Sequence, residues 1–177
     1  EPTAGAAGRH GRSVKPAALR ARLAGPLPGI AAWREMAPGD RAFPPEMAGY
    51  RDAAVLLALF PRDGAWRLPL IVRTDDGGIH ARQVALPGGA LEPGESPEAG
   101  ALRETQEETG LAPTDAELLG RLSPLPIPAS HFRVTPVVAT LVGEPTWRLD
   151  GREVASLFSV PLAALRDGAL RCSEQRE

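Results

Sequence analysis

A chain of 177 residues, 43% of them hydrophobic, is long enough to bury a real core and most simply forms one domain. Its net charge of −2 argues against a surface that coats nucleic acid, though not against a single phosphate-bearing substrate whose charge a bound cation offsets. The lone Cys172 excludes an internal disulfide framework and fits a reducing compartment, and no apolar run approaches the ~20 residues of a membrane span.

Residues 1–24 are rich in Ala and Gly and carry Arg9, Arg12, Lys15, Arg20 and Arg22 against one acid, Glu1. The composition reads as a plain tail, with the remnant of an Arg-rich organelle transit peptide as the alternative. The chain opens on Glu1 and not on a methionine, so its native start is left open. Pro16 to Leu23 predicts a short amphipathic helix stopped by Gly25-Pro26, and Ile30 to Met36 a second one before Pro38-Gly39. Phe43-Pro44-Pro45 then interrupts the pattern, so residues 1–49 are expected to be a tail with short helices and residues 50–177 the folded domain.

Ala53 to Phe60 is a continuous apolar run of strand length, as in a strand buried on both faces. Arg62-Asp63-Gly64 signals a turn, and Trp66 to Arg73 reads as the returning strand, with Trp66 a packing residue. A loop at Asp75-Asp76-Gly77-Gly78 precedes a short strand, Gln83 to Leu86, which feeds the pair Gly88-Gly89. A helix follows. Ser96 is its N-cap, Pro97 its first residue, Glu98 complements its dipole, and Gly110 stands where a C′ glycine ends it.

Within that helix Glu104, Glu107 and Glu108 fall at i, i+3 and i+4 and are expected on one face, with Ala101, Leu102 and Thr105 opposite. Like charges at these spacings weaken a helix. A solvated acidic face is the ordinary explanation. A hard dication such as Mg²⁺ or Mn²⁺ is the other, since carboxylates suit it and it in turn holds phosphate oxygens. Arg103, beside Glu104, is placed to pair with Glu95 and fix that face.

Beyond the helix, Ala116 to Leu125 and Phe132 to Val142 read as strands separated by a proline-rich loop, Pro124 to His131. Glu153 to Val160 is either helix or strand, and Pro161 to Arg166 is expected to be a helix ended by Gly168. The order implies an α/β layer structure, a mixed sheet flanked by helices.

The stretch from Gly88 to Leu111 resembles the Nudix box, G-x5-E-x7-R-E-U-x-E-E-x-G-U, with Gly89, Glu95, Arg103, Glu104, Glu107, Glu108, Gly110 and Leu111 in register. At about 7% abundance per residue, chance agreement of seven fixed positions is on the order of 10⁻⁸. Thr105 departs from the aliphatic residue that is commoner there. The resemblance implies an α/β/α sandwich in which the box is a loop–helix–loop, and hydrolysis of a nucleoside diphosphate linked to another group. It implies Mg²⁺ or Mn²⁺ held by Glu104, Glu107, Glu108 and the Gly88 carbonyl, with Glu107, Arg103 and Glu104 catalytic and Glu107 the first choice as general base. A mere turn glycine is the alternative at Gly88.

A second resemblance is to the coenzyme A pyrophosphatase branch, whose motif is L-L-T-x-R-S-x3-R-x3-G-x3-F-P-G-G. Leu70 to Thr74 and Arg82 to Gly89 follow it with matching spacing, and His80 and Gln83 stand where members often carry the same residues. Gly78, Arg82, Leu86 and Thr74 depart from it. Phe132 to Ala139 and Glu153 to Leu162 resemble two further segments of that branch, so the likeness covers about residues 50–166. Members usually continue into another strand and a helix, so the C-terminal end is expected to be incomplete.

The branch implies hydrolysis of coenzyme A or acyl-CoA to 3′,5′-ADP and (acyl-)4′-phosphopantetheine. Arg73, Arg82 and Gly89 are the expected substrate contacts, with ordinary solvated arginines the alternative. Rival readings are a Nudix pyrophosphatase for ADP-ribose, NADH, a nucleotide sugar, a dinucleotide or a nucleoside triphosphate, and a catalytically silent ligand-sensing domain. Glu153 is read as a helix-surface residue, with a distal carboxylate of the site as the alternative, and His80 and His131 as loop histidines. A small-molecule diphosphate is the expected partner, with no nucleic acid and no membrane; a homodimer is compatible with the sequence. The expected location is cytoplasmic, with organelle targeting by the basic segment as the alternative.

Overall fold

The computed structural model describes residues 15–36, 49–75, 77 and 81–166. Gly78, His80, Gly168, Cys172, Pro38 and Phe43-Pro44-Pro45 lie outside the described residues, and the expectations placed on them fall there too.

The apolar run becomes strand β1, Arg51–Arg62. Alternate side chains Ala54, Leu56, Ala58 and Phe60 are wholly buried on one face, while Ala53 and Leu59 are buried on the other. Asp63 and Gly64 both have positive φ, 51° and 73°, and turn the chain in a two-residue hairpin into β2, Ala65–Arg73. Beyond that junction β1 leaves β2 and pairs with the three-residue strand β4, Gly88–Ala90. On its other edge β1 runs parallel to β7, Phe132–Leu141, in register from Arg51↔Phe132 to Leu59↔Thr140.

The remaining strands complete a mixed sheet. β3, Val84–Ala85, and β8, Val154–Pro161, pair with β2; β5, Ala116–Arg121, and β6, Leu125–Ile127, pair with β7. Helix α3, Pro97–Thr109, covers one face over Ala54, Leu56, Phe60, Val137 and Ala139. Helix α1, Pro16–Leu23, places Leu19 and Leu23 against Leu59, Leu119 and Val138 on the other. A second short helix, α2, spans Ile30–Met36. Helices on both faces of one mixed sheet make the expected α/β/α sandwich. Among the described residues no helix is long and apolar enough to cross a membrane.

Three local expectations are corrected. The proline-rich loop contains a strand, because Leu125–Ile127 finds open partners at Phe132–Val134. The segment from Ala116 therefore stops as a strand at Arg121. Pro161 ends strand β8, and only Ala164–Arg166 forms a single 3₁₀ turn, since Leu162 is tied by its N–H to the Trp66 carbonyl at 2.7 Å.

Candidate active site

Helix α3 begins and ends as its caps dictate. Ser96 Oγ accepts the Ala99 N–H at 3.2 Å, and Gly110 at φ 72° closes the C-terminus on the Gln106 carbonyl at 2.8 Å. The next carbonyls, Thr109 and Glu108, accept the N–H groups of Arg148 and Asp150 at 2.8 and 3.1 Å. A loop from the far end of the chain thus satisfies the helix terminus and brings residues 148–153 to the site.

The three glutamates are graded in exposure and do not share one solvated face. Their side chains are 17% exposed at Glu104, 59% at Glu107 and 1% at Glu108. Ala101, Thr105 and Glu108 recur at i, i+4 and i+7, so Glu108 lies on the buried stripe. Leu102, expected on that stripe, is only partly buried. Among the described residues no three His, Cys, Asp or Glu side chains form a ready-made cage.

What bridges the acids is Arg103. Its Nε and Nη2 donate to the two Glu95 oxygens at 3.0 Å each, and Nη2 also donates to the Ala90 carbonyl at 3.0 Å. Nη1 donates to Glu104 at 2.9 Å and to Glu107 at 3.3 Å. All the donors of the guanidinium are engaged. Arg103 lowers the Glu95 pKa below the usual carboxylate range. The expected Arg103–Glu95 pair is present, and it extends to both neighbouring glutamates.

Glu108 is fastened from the other side. Its Oε2 accepts the Gly88 N–H at 2.8 Å and its Oε1 the Arg73 Nη1 at 3.2 Å. Burial pushes its pKa up to about 7, against the pull of the Gly88 N–H and Arg73, while the charges of Glu104 and Glu153 add to the rise. Arg73 is therefore committed to a buried carboxylate and is only partly available to a substrate.

Both glycines of the pair are sterically compelled. A Cβ on Gly88 would lie 2.3 Å from the Ala54 carbonyl oxygen, and one on Gly89 would lie 2.4 Å from Glu104 Oε2. The Glu104 carboxylate occupies the space a side chain at 89 would take. Glu104 and Glu108 beside the glycine backbone, with Glu107 reached through Arg103, offer oxygen donors of the kind a hard dication takes, each with lone pairs left over, though the three are not gathered around one point.

Arg82 is 78% exposed and lies 3.8 Å from Asp75, so among the described residues it is not drawn to the glutamates of α3. Glu153 lies in the turn before β8 and on no helix, and its charge is felt at Glu108. His131 is a loop residue in tilted ring contact with Tyr50, and Trp66 packs against Leu59, Leu68, Leu119 and Val138. Sequence reasoning missed Thr74 as a junction: its N–H donates to the Glu153 carbonyl at 3.0 Å and its Oγ1 to the Arg152 carbonyl at 2.8 Å. The available signal was a hydroxyl retained where the coenzyme A motif has serine.

A family model described as NUDIX domain matches residues 49–175. An uncharacterized Nudix hydrolase, NudL, of Salmonella paratyphi B is 40% identical over 119 residues, 67% of this chain and 61% of the relative. The chain thus spans about three-fifths of the length of the curated relatives it matches. Among solved structures, RenU, a Nudix hydrolase from M. smegmatis, superposes with a TM-score of 0.54 at 25% identity, over 66% of this chain and 74% of that one. An Ap4A hydrolase of C. elegans gives a TM-score of 0.54 at 19% identity over 65% and 82%, a likeness of fold alone.

Proposed function

The chain belongs to the NUDIX domain family, and on that premise we propose that it is a metal-dependent diphosphatase acting on coenzyme A or an acyl-CoA. The observation that supports the reading is that Glu108 and Glu104 lie against Gly88 and Gly89, with Glu107 tied to Glu104 through Arg103 Nη1 and Glu108 to Arg73. The substrate choice is supported by the sequence likeness over the segments at 70–89, 132–139 and 153–162.

Glu104, Glu107, Glu108 and the Gly88 carbonyl would hold the cation, Mg²⁺ or Mn²⁺. When bound, such an ion neutralises phosphate oxygens and lowers the pKa of a coordinated water. The chain's own residues do the rest. Arg103 fixes one oxygen each of Glu104 and Glu107, so the carboxylates meet the substrate in a set geometry. Glu107, the most exposed of the three, takes the proton of the water that attacks phosphorus. Gly89 yields its side-chain space to the Glu104 carboxylate and meets the diphosphate through its backbone alone, while the part of Arg73 not held by Glu108 and the exposed Arg82 are the guanidinium groups offered to its oxygens.

Incubation with CoA and Mg²⁺ followed by product identification tests this: 3′,5′-ADP with 4′-phosphopantetheine is expected. ADP-ribose, NADH and nucleoside triphosphates belong in the same assay. Turnover of one of these in preference to CoA moves the substrate elsewhere in the family, and ligand binding without phosphorus-detected product marks a silent sensing domain.

A further inference from the structure

Helix α1 stands before the residues that match the family model, 49–175, yet it is docked on the sheet. Leu19 and Leu23 pack against Leu59, Leu119 and Val138, and Arg20 Nη2 meets Glu117 Oε1 at 2.8 Å. The strand beneath it, β5, is shaped to receive it. A Cβ on Gly120 would stand 3.0 Å from Leu23 Cβ, and Gly120 holds φ 152°, a value that L side chains rarely adopt. Just past α1, a Cβ on Gly29 would come 3.3 Å from Ser123 Oγ. The N-terminal segment therefore approaches the chain on either side of Arg121.

Arg121 itself points the other way. Along β5, Ala116 and Leu118 pack on the core under α3, and Leu119 packs on the α1 side. The pairing with β7 then slips: Leu118 sits opposite Ala139, but Gly120 sits opposite Val138. Leu119 and Gly120 thus both face α1, and Arg121, opposite Val137, returns to the α3 side. Strict alternation would have turned Arg121 toward α1. Delivered to the α3 side, its Nε and Nη2 donate to the two carboxylate oxygens of Glu98, in the first turn of the helix. Arg121 lowers the Glu98 pKa, so that carboxylate stays charged at the positive end of the helix. Glu108 ties α3 at its far end and Arg103 ties its middle; Arg121 is the corresponding tie at its start.

We propose that α1 belongs to the catalytic unit and that Arg121 is a positioning residue, seated by α1 through Gly120 and setting α3 over the glycine strand. The inference rests on the diphosphatase reading for its effect on turnover, and on the fold alone for its effect on α3. A fork that grips both oxygens of one carboxylate fixes direction as well as distance, so it resists a roll of the helix. Glu104, Glu107 and Glu108 lie further along the same helix, and a roll at its start displaces all three. Arg121 touches no substrate and acts through Glu98.

Hydrogen exchange along α3 in the full chain, without metal or substrate, tests the coupling apart from catalysis. Leu23→Ala and Arg121→Gln should each speed exchange of the amides of Ala101 to Thr105 by about fivefold, the upper range for a half-exposed ion pair, and leave the β1–β7 amides protected. Combined, the two changes should do little more than either alone, because both release the same tie. Glu98→Gln should match Arg121→Gln, and it leaves α1 and β5 untouched. Leu19→Ala, milder and further from Gly120, carries the same expectation as Leu23→Ala should that variant fail to fold. Additive effects, or α3 exchange that responds to Arg121→Gln and not to the leucine variants, make α1 a passive cover and overturn the proposal. With CoA, ADP-ribose, NADH and nucleoside triphosphates in Mg²⁺, the same variants should lower kcat by about fivefold with KM little changed. A role in stability alone would lower the Tm and leave kcat unchanged. Coupled exchange in a protein that hydrolyses none of these compounds sinks the diphosphatase and leaves the positioning. Unaltered kcat or unaltered α3 exchange in variants of an active enzyme sinks the positioning and leaves the diphosphatase.

Discussion

Glu108 Oε2 accepts the backbone N–H of Gly88 at 2.8 Å, twenty residues back in the chain, and so ties the buried end of α3 to the glycine strand beside it. The carboxylate is 1% exposed with its pKa raised to about 7, above the ordinary 4.5. A folded-state pKa above the unfolded one means that the native state binds the extra proton, so the contribution of Glu108 to stability is fullest below about pH 4.5 and is lost as pH rises through 7. Metal-free protein should lose up to about 3 kcal/mol from this group across that window. Glu108→Gln should flatten that part of the Tm-against-pH curve, and saturating Mg²⁺ should raise the wild-type Tm most at alkaline pH. A wild-type curve parallel to that of the glutamine variant would show that the site is not charged in this way.

The two glycines should fail differently. Gly88→Ala drives a Cβ to 2.3 Å from the Ala54 carbonyl at φ 143°, a clash with backbone that cannot move without parting β4 from β1. Several kcal/mol of stability should go with it, on the order of the worst single substitutions. Gly89→Ala meets the end of the Glu104 side chain, which can swing away. Its fold should survive with a Tm within a few degrees of wild type, while Mn²⁺ affinity falls because Glu104 has left its place. Equal melting temperatures for the two variants would contradict this.

Thr105 is 1% exposed, and its hydroxyl has no hydrogen-bond partner among the described residues. The hydroxyl of Thr109, by contrast, donates to the Thr105 carbonyl at 2.6 Å. A buried unpaired hydroxyl costs about 1–3 kcal/mol, so Thr105→Val, nearly equal in shape, should stabilise the protein by roughly 1 kcal/mol. Chemical denaturation measures it; an unchanged or lower midpoint at equal m-value would mean that the hydroxyl is satisfied.

Much of this was legible in the residues because it is local. Ser96, Pro97 and Gly110 fix α3 through their own backbone preferences, and Asp63-Gly64 fixes the hairpin. The spacing of Glu104, Glu107 and Glu108 also set out the run of acids on α3. Its depth was not legible, since which glutamate is buried depends on how α3 rolls against β1 and β7, and that is set by Ala101 and Leu111 packing on Leu56 and Val137. The strand at Leu125–Ile127 was hidden for a similar reason: Pro126 speaks against a strand locally, and only an open edge of β7 makes one there. Glu153 looked like a surface helix residue because its neighbour across the fold, Thr74, is 79 positions away.

Arg103 offers the sharpest test of how the acids are arranged. Its planar fork reaches Glu95, Glu104, Glu107 and the Ala90 carbonyl together, which an ammonium with three donors and no fixed plane cannot do. Arg103→Lys keeps the charge and loses the geometry, and kcat should fall by about tenfold or more, as for a misplacement of catalytic groups by a fraction of an ångström. Glu95→Gln weakens the anchor but leaves all three glutamates of the cluster in place, so it should lower kcat in the same direction and by less, with KM little changed. Glu107→Gln removes the expected base itself and should abolish turnover by orders of magnitude while the Tm holds, its side chain being 59% exposed. Turnover by Arg103→Lys equal to wild type would mean that Arg103 serves only to neutralise charge, and turnover by Glu107→Gln equal to wild type would remove Glu107 from the chemistry.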